Sequence, residues 1–90
     1  MATKFRWNEW NIEHLAEHGV SPEEAEQVVR SARPPYPRRE ATRKYRVRGQ
    51  TSTGYFLQVI YLIELDRTIY VIHARPLNDN EKHQFRRGRP

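Results

Sequence analysis

The chain has 90 residues, which makes one domain over 1–90 the expectation. It contains no cysteine, so disulfides, thiolate catalysis and cysteine-bound zinc are excluded together. Its net charge of +5 is unevenly spread: residues 1–29 carry Lys4 and Arg6 against six glutamates, net −4, and residues 30–90 carry fourteen basic and five acidic residues, net +9. Such asymmetry favours a polyanion on one side of the molecule over an evenly solvated basic surface. At this length roughly 60–65% of the unfolded chain's surface can be buried, so the core is thin and a partner chain is expected to complete it. Ten aromatic residues and the apolar run at 55–63 argue against disorder. Met1–Trp10 is polar and charged, unlike a signal peptide, and no apolar stretch approaches the ~20 residues of a spanning helix. A cytoplasmic protein without a membrane role is the expectation.

Asn8 opens a first helix, with Trp10, Ile12 and Leu15 among its apolar residues. His18 falls in its last turn and Gly19 stops it. Ser21-Pro22-Glu23-Glu24 starts a second helix, with Ser21 as N-cap, Pro22 at N1 and Glu24 closing a capping box. Ala25, Val28 and Val29 face inward, and Val20 staples onto Ala25. Residues 32–41, ARPPYPRREA, read as an irregular basic loop, because three prolines disfavour regular structure. It serves as a connector or as an arm that grips RNA, the connector being the plainer reading.

Three strands follow. In Thr42–Arg48, Lys44, Arg46 and Arg48 alternate with Tyr45 and Val47. Tyr55–Glu64 is a long apolar strand and central. Leu65-Asp66-Arg67 turns the chain into Thr68–Arg75, which Pro76 ends. Short links predict an antiparallel meander in the order 1-2-3. Asn78 then caps a C-terminal helix with Glu81 at N3, and the basic tail at 86–90 is expected to fray. The fold class is therefore α+β: two N-terminal helices packed on a three-stranded antiparallel sheet, plus a C-terminal helix.

On the third strand His73 and Arg75 leave one face, and Tyr70, Ile72 and Ala74 leave the other. With Ile72 and Ala74 in the core, His73 and Arg75 share the open face with Lys44, Arg46 and Arg48. That grouping suits RNA cleavage by 2′-OH attack. Arginine forks stabilise the phosphorane oxygens, and a histidine whose pKa is lowered by nearby cations transfers protons. A phosphate-binding face without turnover fits the same residues equally well. Glu13-His14 and Glu17-His18 put two histidines four apart on one helix. Two ligands without a third make no metal site, so none is expected, nor any cofactor. His83 on the last helix faces solvent or makes a secondary RNA contact.

Phe5-Arg6-Trp7-Asn8, with the run Glu17-His18-Gly19-Val20-Ser21 and Glu23-Glu24-Ala25, resembles the N-terminal signature of the BrnT toxins. Tyr45-Arg46-Val47-Arg48-Gly49-Gln50-Thr51 resembles their second motif. Ile72-His73-Ala74-Arg75-Pro76, followed by Asn78 and Glu81, resembles their third. The likeness runs from about residue 5 to 87, each motif being short and their order and spacing carrying the match. It implies a RelE-like fold and a metal-independent endoribonuclease toxin of a type II toxin–antitoxin pair. It also implies a cognate antitoxin, a ribbon-helix-helix protein of the BrnA kind, in a homodimer or heterotetramer. Arg75 matches the arginine of the third motif, Lys44 stands where the family has arginine, with Arg43 and Arg46 beside it, His73 replaces the usual serine, and Phe85 lies near a common tyrosine. The expected catalytic set is Arg75, His73 and Lys44, and the expected RNA contacts are Arg43, Arg46, Arg48 and His83. The alternative is a non-catalytic RNA- or protein-binding module on the same fold.

Overall fold

The computed structural model describes residues 3–87. Asn8 caps α1 (Glu9–Ala16) in a reciprocal capping box with Asn11, and Ser21 caps α2 (Pro22–Arg30) in a second box with Glu24. Each box satisfies two backbone donors that a helix start leaves unpaired. Gly19, at φ +71°, turns the chain between the two helices, a conformation that costs glycine little. Val20 and Ala25 are both buried, as the staple expects.

The sheet has four strands, not three: β1 (Arg38–Ala41), β2 (Lys44–Gln50), β3 (Phe56–Ile63) and β4 (Ile69–Pro76), antiparallel in the order β1-β2-β3-β4. The extra strand comes from the segment read as an irregular loop. Its prolines stop at Pro37, and every residue of Arg38–Ala41 has an N–H to donate. Arg38 then pairs with Arg46 and Arg39 with Tyr45. All four β1 residues are exposed, so no apolar alternation marks it. Glu40, 3.6 Å from Arg46, offsets the two arginines set opposite each other. The other sheet edge is partly covered: the Arg6 N–H donates to Ile69, and the Ile69 N–H donates to Lys4.

One face of the sheet meets α1 and α2 over a core that includes Leu15, Ala25, Val28, Val47, Val59, Val71 and Ala74. At Gly49 a Cβ would stand 3.2 Å from Val28 Cγ1, so the glycine lets α2 lie close on β2. The expected inward face of β4 needs correction. Ile60 pairs with His73 but Tyr61 pairs with Val71, leaving Ile72 as an extra residue. This bulge resets the alternation. Val71 and Ala74 are fully buried, whereas Tyr70 and Ile72 are only half-buried. In α1 the expected apolar pair Trp10 and Ile12 is exposed, and Asn11 is buried in their place. The Asn11 amide donates to the carbonyls of Arg6 and Val71, both at 3.1 Å, tying the helix to the sheet edge.

α3 (Asp79–Arg87) opens with the expected box: the Asn78 N–H donates to Glu81 and the Glu81 N–H to Asn78. Arg86 and Arg87, expected in a frayed tail, close this helix, and the rest of that tail lies outside the described residues. Among the described residues no helix is long and apolar enough to cross a membrane.

Candidate nucleic-acid interface

Because Val47, Val59 and Ala74 form one buried row across the sheet, their neighbours Arg48, Gln58 and Arg75 form a row on the opposite face. That row is bonded side to side and capped from above. Arg48 Nε donates to Gln58 Oε1 at 3.0 Å. Arg75 donates both guanidinium NH2 groups to the two Glu81 oxygens at 2.7 Å each, and Arg48 reaches the same carboxylate at 3.3 Å. The fork geometry makes this the strongest polar contact of the face. The Arg75 bonds, then the Asn78 N–H, hold the Glu81 carboxyl down at about 2. Reciprocally, Glu81 raises Arg75. The sequence reading gave Glu81 a capping role alone. Its second role, closing two arginines, depends on a helix crossing back over the sheet, which no local pattern encodes.

The next row joins Arg46, Ile60 and His73. Arg46 Nε and His73 Nδ1 are buried without a hydrogen-bond partner among the described residues. His73, at the sheet edge, meets both helix histidines: ring centroids lie 5.1 Å from His18 and 5.7 Å from His14. Trp10 stacks on His14 at 5.0 Å and lies 6.4 Å from Tyr70, so one aromatic stripe runs along the α1–β4 seam. The i, i+4 spacing of His14 and His18 was legible, but the third imidazole arrives from more than fifty residues away. The described residues hold no group of three or more His, Cys, Asp or Glu set to bind a metal ion. The pKa of His73 is lowered as expected, but for a different leading reason: burial comes first, then His18 and His14, with Arg75 last.

The expected catalytic set is therefore only partly assembled. His73 and Arg75 sit two apart on β4, about 7 Å, yet Arg75 is drawn to α3 and His73 to α1. Lys44 shares a row with Leu62 and Tyr70, two strands from β4 and one row beyond His73. Arg46 and Arg48 are the cations level with His73 and Arg75. Arg43, at φ +62° in the β1–β2 turn, lines a shallow groove with Arg6, Leu62 and Glu64 at the far end of the sheet. His83 is exposed on α3.

No family model, curated protein or solved structure matches this chain.

Proposed function

We propose that this chain is a ribonuclease toxin of the BrnT type, with a RelE-like fold, acting on RNA without a metal and countered by a cognate ribbon-helix-helix antitoxin. The observation that supports the reading most is that Arg48 and Arg75 share one row and close on one carboxylate, with His73, whose pKa burial lowers, one row along β4. The three motif resemblances support it from the sequence side.

In this reading a phosphate takes the place of Glu81. A phosphodiester presents two anionic oxygens to the Arg75 fork, as the carboxylate does, so the two compete for the same donors. His73 takes the proton of the 2′-OH as its oxygen bonds to phosphorus, Arg75 bears the charge of the phosphorane, and the bond from phosphorus to the 5′-oxygen breaks as that oxygen takes a proton from water, leaving a 2′,3′-cyclic phosphate. Arg46 and Arg48 position the backbone, and Lys44 and Arg43 extend the cationic track.

The Glu81 contact also favours a second reading. If Arg75 serves to anchor α3, the face binds RNA or protein without turning over. Purified protein on single-stranded RNA with EDTA separates the two. The toxin reading expects cleavage that Arg75→Ala abolishes with the global melting temperature nearly unmoved, and growth arrest on induction. Binding without cleavage by the parent chain supports the module. A neighbouring antitoxin gene, co-expressed, should raise the melting temperature, since it binds only the folded state.

A further inference from the structure

A cavity of about 450 Å³ lies between the proline segment, β2 and α3, on the α3 side of the sheet. Its wall carries Arg33, Arg38 and Arg48, the rings of Tyr36 and Phe85, and the amide of Gln84. Among the described residues no aspartate or glutamate lines it. Arg33 and Arg38 are exposed and make no ion pair among the described residues, whereas Arg48 shares Glu81 with Arg75. Tyr36 is half-buried against the core, which fixes its ring, and Phe85 meets Phe56 edge-on at 6.0 Å. The volume falls in the range of small-molecule sites, roughly 300–1,000 Å³. Unpaired cations beside fixed rings and amides select a ligand with an anion at one end and a flat, hydrogen-bonding ring at the other.

We propose that this cavity holds one nucleotide, its phosphate on Arg33 and Arg38 and its base against Tyr36 and Phe85. The inference rests on the RNA reading above and deepens it. Arg48 joins the cavity to the Arg75 row, so a nucleotide seated here precedes or follows the phosphate at Arg75. The proline segment is then a recognition wall, not merely a connector. Its prolines hold Arg33 and Tyr36 in place at low entropic cost on binding. Base stacking and amide contacts would let the cavity discriminate among bases.

Calorimetric titration of the whole chain with adenosine and guanosine 5′-monophosphates, adenosine, and inorganic phosphate tests this. At least one monophosphate should bind ten-fold or more tightly than either adenosine or phosphate. Arg33→Ser combined with Arg38→Ser should erase that preference, while Lys4→Ser, remote from the cavity, should keep it. Both arginines are exposed, so the double variant should retain the parent's melting temperature. Monophosphates that bind no better than phosphate, or equally well to the double variant, would overturn the proposal. A single-stranded RNA decamer, titrated in parallel, tests the underlying reading separately. RNA binding without monophosphate binding rejects the cavity alone. Monophosphate binding without RNA binding supports the cavity and rejects the RNA reading.

Discussion

α1 and α3 both attach to β4, one at the seam of the core and one over the open face, and they are held by different physics. α1 buries Leu15 and Asn11 completely and donates from the Asn11 amide into the sheet. α3 buries no residue, and its main tie is a single carboxylate gripped by Arg75 and Arg48. Apolar burial is not screened by salt and offers an anion no charge to compete for, whereas an ion pair is weakened by both. Of the two helices, the one over the cationic row is therefore the one whose attachment a competing anion should weaken. Local opening free energies follow such differences in burial, so α3 should open well below the global unfolding energy.

The two helices should differ most at Leu15. Leu15→Ala should cost about 2–5 kcal/mol, the usual range for emptying a core leucine site. No substitution confined to α3 should approach that in a thermal or urea melt. If Phe85→Ala destabilises the whole chain as much as Leu15→Ala, α3 belongs to the cooperative core and the contrast fails.

Asn11→Ala comes next. It leaves the carbonyls of Arg6 and Val71 short of a donor and removes half of the capping box. A loss of about 1–3 kcal/mol is expected. Hydrogen exchange should speed up in α1 and at the outer edge of β4 while β2 and β3 stay protected.

These sites also mark what the sequence could and could not disclose. The capping boxes at Ser21 and Asn78 were legible because each is written within four residues; at Asn8 the cap was legible and its partner Asn11 was not. The two faces of β2 were legible from alternation, and β3 from its apolar run. β1 was not, since four exposed residues behind three prolines carry no apolar period. The bulge at Ile72 was not, because alternation assumes an unbroken ladder, and so Tyr70 and Ile72 were assigned inward. Asn11 was passed over because polarity suggests surface, and only the tertiary acceptors reveal why it is buried. Lys44 was grouped with Arg75 by face, but distance along and across the sheet needs the register.

Glu81→Gln sharpens the contrast from the other side. The amide keeps one hydrogen bond to Arg75 and loses the charge, so the attachment of α3 should weaken by about 1–2 kcal/mol, at the low end for bonds to charged groups. The effect should appear as faster amide exchange over 79–87, with the global melt nearly unmoved. RNA affinity should rise, because Arg48 and Arg75 no longer satisfy a carboxylate. A variant that binds RNA more weakly would mean that Glu81 orients the arginines instead of masking them. The same contact sets a pH window. The Glu81 carboxyl lies at about 2 against an ordinary 4.5. Its contribution is therefore complete above about 4.5 and disappears as pH falls toward 2.

The smallest expected effect lies at the α1–β4 seam, in a different pH window. His73 sits below its ordinary 6.5 through burial, then His18 and His14 from α1 and Arg75 on its own strand, with Arg46 level with it across β3. As pH falls, the unfolded chain takes up this proton first. The contribution of His73 is thus whole above about 6.5 and is lost as pH drops through that value to the lower folded one. Between pH 7 and 5.5 the parent should lose a little stability, His73→Ser should lose less, and Glu81→Gln should follow the parent. If His73→Ser keeps the parent's slope, the slope does not arise at His73. The same variant bears on catalysis, where a proton-transferring group typically contributes about 10²–10⁴ in rate. Should His73→Ser cleave RNA as fast as the parent with an unaltered pH profile, His73 moves no proton in the reaction. The imidazole would then serve only to fasten α1 to the edge of β4, and the proton transfers would pass to another group or to water.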